Sequence, residues 1–236
     1  MSIASELNRL LQAKSDLATS IANKGVTVPA ATTLDGYAAL VNQIQQGGGT
    51  LPYDAEVDYI ESTGTQYIDT GVILNGSSFA ELTLSISAAQ NNGMFGARSA
   101  YKVNDFSWMI LSSNKNRRNY GTQENTSGGA INLNYINNYR AEANVYKGNW
   151  NVAYTFTSQA FQTPGSAYIC AINDNGTVLS PSKMRVFRCA IRGVNKSVDL
   201  IPVRVGQVGC MYDKISGTLL YNAGTGSFTV GTDVIR

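Results

Sequence analysis

No histidine occurs among the 236 residues, which removes Ser-His-Asp and Cys-His relays and most zinc sites at once. Carboxylate pairs are the remaining route to acid/base catalysis, yet the chain has no Glu-x-Asp-x-Glu strand of the kind that places an acid and a nucleophile on one face. Asp54, Glu56 and Asp58 alternate, but beside a glycine-rich segment they read as a solvated edge strand that resists aggregation. The run Ala223-Gly224-Thr225-Gly226 lacks the Lys and following helix of a phosphate loop. No clustered Asp loop with calcium spacing is present, and Cys170, Cys189 and Cys210 form neither a close pair nor a metal set. The expectation is a protein that is not an enzyme, with no cofactor, no metal, and its cysteines reduced and buried as small hydrophobes.

Binding chemistry is better represented. Sugar rings stack on aromatic faces while Asn, Gln and Arg hydrogen-bond their hydroxyls. Residues 114–120 (Asn-Lys-Asn-Arg-Arg-Asn-Tyr) and 134–140 (Asn-Tyr-Ile-Asn-Asn-Tyr-Arg) supply such groups, and Trp108 and Trp150 are candidate platforms. The candidate ligand-binding set is therefore Trp108, Arg117, Arg118, Tyr120, Tyr139 and Trp150. The alternative is that both tryptophans are core and the Asn-rich stretches ordinary loops, with Arg117 and Arg118 in subunit contacts or facing acidic glycans. A formal charge of +2 is too small to imply a nucleic-acid partner.

These groups must be carried by strands. From Val57 onward, short alternating runs recur between Gly, Asn, Asp and Ser clusters, at residues 80–86, 107–111, 143–146, 150–156, 167–172, 183–191 and 199–204. Leu82, Leu84 and Ile86 are expected inside, with Glu81, Thr83 and Ser85 outside, and Val152, Tyr154 and Phe156 repeat that logic. Asn173-Asp174-Asn175-Gly176 predicts a hairpin, and residues 211–213 followed by 218–221 and 227–230 predict a second hairpin and a last strand. Hydrophobic content of 43% is ordinary, while 14% charged residues falls well below the usual fraction of about 25%. The fold class is mainly β, a two-sheet sandwich or jelly roll.

The first 46 residues follow a different period. Ile3, Leu7, Leu10, Lys14, Leu17 and Ile21 are spaced 4-3-4-3-4, a coiled-coil seam broken only by Lys14, whose aliphatic stem still packs. Ser2 caps a helix over residues 2–23, and Lys24-Gly25 stops it. After an extended connector containing Pro29, Thr33 caps a second helix with Leu34, Tyr37, Val41 and Ile44 as its apolar stripe. The spacing predicts a homo-oligomer, a trimer favoured, or else an intramolecular hairpin. The predicted organisation is a helical oligomerisation or attachment module at 1–46, a Gly-rich linker at 47–52 around Gly47-Gly48-Gly49, and a β domain at 53–236. No apolar run approaches the length of about 20 residues needed to span a bilayer, and residues 1–24 are too charged for a signal peptide. Membrane partners are not expected.

Specific motifs add to this. Tyr59-Ile-Glu-Ser-Thr-Gly-Thr-Gln-Tyr-Ile-Asp-Thr-Gly71 opens the β domain. Phe187-Arg-Cys-Ala-Ile191, Asp199-Leu-Ile-Pro-Val-Arg204 and the segment from Met211-Tyr-Asp-Lys to Asn222-Ala-Gly-Thr-Gly226 close it. Together they resemble the laminin-G-like, concanavalin-A-like jelly rolls of virion structural proteins from phages infecting gut bacteria. Lys24-Gly-Val-Thr-Val-Pro29 and Leu34-Asp-Gly-Tyr-Ala38 look like short helical modules of phage tail and fibre proteins. The resemblance implies a tail- or head-fibre protein assembled in the host cytoplasm and exposed on the virion exterior. Its helices would contact sister chains or other virion proteins, and its jelly roll would adhere to host-surface carbohydrate. The rival implied by the same resemblance is a decoration protein that binds no ligand.

Overall fold

A computed structural model describes residues 3–22, 26–41, 43, 51–88, 90–126, 131–148 and 151–234, without the side chains of 151–153. The expected cap Ser2, the stop at Lys24-Gly25, Ile44, the Gly47-Gly48-Gly49 linker, Trp150 and the side chain of Val152 lie outside the described residues. The chain divides into two compact units, Met1–Leu51 and Pro52–Arg236.

In the first unit, α1 (Ile3–Ala22) is a 20-residue helix and α2 (Gly36–Val41) a six-residue one. Ile21 and Tyr37, expected on the oligomerisation seam, are instead buried together with Val26 and Leu40, with Ala18 and Val28 packed against them. The reason is phase. Residues 33–36 are a turn, with Gly36 N–H donating to Thr33 O at 3.1 Å, so α2 begins late and presents Tyr37 and Leu40 inward. Leu34 and Val41 are left exposed. The rest of the heptad row stays open: Ile3 is 91% exposed, Leu7, Leu10 and Leu17 are exposed, and Lys14 is half-buried. One helix thus serves both patterns, its last turn closing an internal hairpin while its earlier turns carry an uncovered apolar stripe.

The second unit begins with β1 (Ala55–Glu56), β2 (Ile60–Thr63), β3 (Ile68–Asn75), β4 (Phe79–Ile86), β5 (Asn92–Arg98) and β6 (Asp105–Ile110). It continues through β7 (Asn116–Gly121), β8 (Gln123–Asn125), β9 (Asn137–Glu142), β10 (Val145–Gly148), β11 (Asn151–Thr155), β12 (Gln162–Ile169) and β13 (Ile172–Asp174). It ends with β14 (Thr177–Leu179), β15 (Lys183–Arg192), β16 (Ser197–Val205), β17 (Val208–Asp213), β18 (Thr218–Leu220) and β19 (Thr229–Val230). Among the described residues these form two sheets. One follows the order β11-β10-β9-β4-β15-β16-β17-β18, with β1 on β16 and with β2 lying between β15 and β19. The other follows β14-β13-β5-β6-β7-β8, with β12 joining β5 to β3. All pairings are antiparallel except β13 on β5. The architecture is a mainly β sandwich.

Period-two alternation builds its core. Leu82, Leu84 and Ile86 on β4 are fully buried while Glu81 and Thr83 are partly exposed. Ser85, expected outside, is buried as well, at the foot of a depression described below. Phe95, Phe106, Trp108 and Tyr120 project from β5, β6 and β7 toward Tyr139 of β9, Tyr146 of β10 and Phe156. Trp108 lies tilted or edge-on at 5.2 Å from Phe95, 6.1 Å from Tyr139 and 5.8 Å from Tyr146, and Tyr120 stacks on Phe156 at 5.7 Å, geometries that favour aromatic pairs. All three cysteines are buried and unpaired, and burial pushes the Cys210 thiol up to about 11. The Asn173–Gly176 turn joins β13 to β14, with φ of 51° at Asn175 and 88° at Gly176, the left-handed pair that a two-residue hairpin requires.

The closing hairpin is organised by Asp213. Burial alone would raise its pKa, but hydrogen bonds from Ser216 Oγ and from the backbone N–H groups of Asp199, Ile215 and Ser216 outweigh it and hold the carboxyl below its ordinary value. A folded-state pKa below the unfolded one adds stability above the carboxylate range, and that increment disappears as pH falls through the folded value. Urea unfolding from about pH 7 to pH 3 should therefore show a stability gap between wild type and Asp213→Asn that closes as the pH is lowered. A gap constant with pH would show that the carboxylate charge is not what the donors hold. In the core, Trp108→Ala should cost about 3–5 kcal/mol. Trp108→Phe should cost much less, because among the described residues the buried indole N–H has no hydrogen-bond partner to lose.

Candidate functional site

The six residues expected to bind ligand do not form an exposed surface. Trp108, Tyr120 and Tyr139 come together, but inside the sandwich, where no ring face is open to a sugar. Arg118 lies on the same inward face of β7 as Tyr120, directly across from Trp108. Burial lowers its pKa, and its Nη1 donates to Asn125 Oδ1 at 3.0 Å. Arg117 points to the opposite face of that sheet, with its guanidinium 5.3 Å from the ring centre of half-exposed Tyr101 and its Nε 3.9 Å from Glu124. Trp150 lies outside the described residues. The stretches read as loops at residues 114–120 and 134–140 are largely strands β7 and β9, where Asn138 accepts from Thr83 Oγ1 at 2.8 Å and Arg140 lies 3.7 Å from Glu81.

A concave site does exist elsewhere, on the outer face of the first sheet. Asp58, Tyr59, Ser85, Asn134, Ile136, Arg185 and Phe187 line a depression of about 480 Å³. An adjoining recess of about 70 Å³ shares Ser85, Asn134 and Arg185 and adds Glu61 and Ser87. Register assembles it. Arg185 on β15 stands directly between Ser85 on β4 and Glu61 on β2, and same-register residues in antiparallel strands share a face. Sequence positions 124 residues apart thus meet in an ion pair of 3.1 Å between Arg185 Nε and Glu61 Oε2.

The aromatic wall comes from an irregularity. Along β15 the even-numbered residues Met184 and Val186 are buried, whereas beyond the bulge between Val186 and Arg188 the odd-numbered Cys189 and Ile191 are. The extra residue is Phe187, turned toward solvent beside Arg185 instead of into the core. There it meets Tyr59 edge-on at 5.6 Å, and the Arg185 guanidinium lies 4.4 Å from the Tyr59 ring centre. Gly231 backs this ring: a Cβ there would sit 3.0 Å from Tyr59 Cδ1, and Gly231 N–H donates to Tyr59 O at 2.9 Å. The far wall is the loop at 132–136. Asn137 Nδ2 donates to Asn132 O at 3.1 Å and to Tyr135 O at 2.8 Å, while Asn134 N–H donates to Ile86 O at 2.8 Å with φ of 63°. The loop is therefore pinned to the sheet, and it exposes Tyr135 at 70% and Ile136 at 57%.

What distinguishes these groups is how few of their bonds are used. Among the described residues the terminal nitrogens of Arg185, Glu61 Oε1 and the side-chain amide of Asn134 have no hydrogen-bond partner in the protein. Donors and acceptors are thus interleaved beside a half-exposed aromatic edge, the arrangement that hydroxyl groups match. No group of three or more His, Cys, Asp or Glu side chains comes together as a metal site among the described residues. Tyr59, Glu61 and Phe187 belong to the opening and closing motifs, and Asn134 to the Asn-rich stretch, yet nothing local joins them. The available signal was the consecutive apolar pair Val186-Phe187, which breaks the alternation of β15 and marks the bulge.

The chain matches no family model, and no curated protein is similar to it. Among solved structures it is similar to a Bacteroides ovatus protein described as a candidate carbohydrate-binding protein, with a TM-score of 0.54 at 12% identity over 75% of this chain. The chain spans about 60% of that protein's length, and the likeness is one of fold, a β-sandwich.

Proposed function

We propose that the sandwich is a glycan-binding domain, of laminin-G-like jelly-roll type, displayed by a self-associating helical segment on the exterior of a phage particle. The observation that carries this reading is the groove at Tyr59, Arg185 and Phe187, where an aromatic wall faces side-chain donors and acceptors with unused hydrogen-bonding capacity. Sugar rings place a weakly polar C–H face and a rim of hydroxyls side by side, and this groove offers a counterpart to each. The description of the Bacteroides ovatus protein, whose fold is similar, agrees with it. No catalytic step is part of the proposal.

The helix α1 supplies the second half. Its open row of Ile3, Leu7, Leu10 and Leu17 is the surface that sister copies would cover in a trimeric stalk. Several weak sites held together gain avidity without new contacts at any one of them. A second reading, a decoration protein that contacts other virion proteins, draws on the exposed Tyr135 and Ile136 beside the groove.

Full-length protein should be retained by host-surface polysaccharide in affinity electrophoresis. Phe187→Ala and Arg185→Ala should each weaken the site about tenfold without changing the fold, since each removes one stacking or charged contact. Retention untouched by both substitutions would exclude this groove and favour the decoration reading. By sedimentation equilibrium at micromolar concentration the wild-type chain should be a trimer, and Leu7→Asp with Leu10→Asp a monomer. A monomeric wild type would remove the self-associating stalk.

A further inference from the structure

We infer that the ligand of this groove is an uncharged polyhydroxylated sugar and that Asp58 and Glu61 exclude glycans bearing carboxylate, sulfate or phosphate. The inference rests on the groove being the glycan site proposed above, and it concerns what that site admits.

The charge that lines the groove disfavours an anion. Asp58 and Glu61 are carboxylates at the depression and its recess, and Arg185 is their only cationic counterpart among the lining residues. Arg185 already gives its Nε to Glu61 at 3.1 Å and lays its guanidinium over Tyr59. The next cation along β15, Lys183, runs its methylene stem past Gly64 and does not line the depression, and Arg188 is paired with Asp199 at 3.2 Å. An anionic ligand would therefore meet one cation that is already neutralised and a second carboxylate without a compensating charge.

Hydrogen-bond capacity selects in the same direction. Glu61 Oε1, and the Asp58 oxygen that remains once Thr232 Oγ1 has donated to the other, are acceptors only, so they take a ligand that donates. A sugar hydroxyl donates and accepts at once, and it can bridge Glu61 to an Arg185 terminal N–H or to the Asn134 amide. A sulfate or carboxylate only accepts. It would satisfy Arg185 and leave Glu61 Oε1 facing it unpaired, a cost a site built on donors would not carry. The geometry of the pair matters for the same reason, because Glu61 holds Arg185 through Nε and leaves its terminal nitrogens without a partner among the described residues.

The test is affinity electrophoresis and calorimetry of the full-length protein with neutral probes (mannan, laminarin, dextran) and acidic ones (alginate, chondroitin sulfate, heparin). Wild type should bind at least one neutral probe with an affinity that does not change with salt, and none of the acidic probes. Glu61→Gln keeps the shape while removing the charge, so binding of the neutral probe should weaken and that of an acidic probe should rise about tenfold. Asp58→Asn should move acidic binding in the same direction, and it guards against a local effect of Glu61→Gln on Arg185. Acidic probes binding as well as or better than neutral ones, in a manner abolished by Phe187→Ala, would overturn the charge selection while leaving the groove as the site. Absence of binding to either class, or binding indifferent to Phe187→Ala and Arg185→Ala, would overturn the groove reading and this inference with it.

Discussion

Strand β15 is paired along both edges, and the sandwich is arranged around that fact. One edge runs against β4 from Met184 to Arg192, while the other is divided between β2 at Lys183 to Val186 and β16 at Cys189 to Arg192. A strand that must satisfy three neighbours has no freedom to slip, because a one-residue shift would send Met184, Val186, Cys189 and Ile191 to solvent. The single permitted irregularity is the bulge at Phe187. It falls near the place where the second edge changes partner from β2 to β16, so the extra residue disturbs the ladder to β4 alone and none on that second edge. The outer groove follows from that division, since the bulge turns Phe187 out of the core layer while Val186 and Cys189 on either side stay buried.

The core compensates in kind. Phe95, Phe106, Trp108, Tyr120, Tyr139, Tyr146 and Phe156 fill the space between the sheets with large rings, whose polar atoms are handled unequally. Tyr120 Oη donates to Gly76 O at 2.6 Å and Tyr146 Oη to Asn119 O at 3.2 Å, so both phenols are buried with partners. Burial pushes the pKa of Tyr146 well up and that of Tyr139 to about 12, which keeps these rings neutral wherever the protein is folded. Such a core draws on the same residue types that a sugar platform would use. A tryptophan flanked by arginine and asparagine therefore has two meanings, and only the sheet pairing decides between them.

That ambiguity explains what the sequence could and could not disclose. The alternation on β4, the length of β15, the Asn175-Gly176 turn and the hairpin after Asp213 were legible because each is a local pattern tied to one backbone geometry. Strands β5, β7 and β9 were not. Asn92–Arg98 carries two glycines, and β7 and β9 are rich in Asn and Arg, compositions that usually mark loops; their strand state is imposed by neighbours on both sides. The heptad row was legible as a row but not in its allocation, because the phase of α2 removed Ile21 from it. For the site, the residues at 59, 61, 134 and 187 lay within stretches that stood out by motif or composition. Their convergence depends on long-range register, which no window of the chain contains.

Both outer faces of the sandwich carry polar groups, and the difference between them is whether those groups have already found each other. On the outer face of the second sheet, Asp105 accepts from Ser107 Oγ, Asn119 Nδ2 and the N–H of Lys102, and Arg98 donates to both oxygens of Asp174 at 2.9 and 3.1 Å. Tyr101 covers this network, with its hydroxyl on Glu124 and Arg98 and Arg117 against its ring. Burial raises the Asp105 pKa despite these donors, and because the cluster's polar groups already bond one another, inserting a ligand would break bonds before making any. On the first sheet the Arg185–Glu61 pair is half-exposed, each partner retains unused capacity, and the backbone beneath is held by full ladders. A ligand arriving there adds hydrogen bonds without displacing protein ones, and the rigid strands pay no ordering entropy on its arrival. Recognition belongs on the face whose polar groups are positioned but unsatisfied, and in this fold the register of β2, β4 and β15 creates that condition.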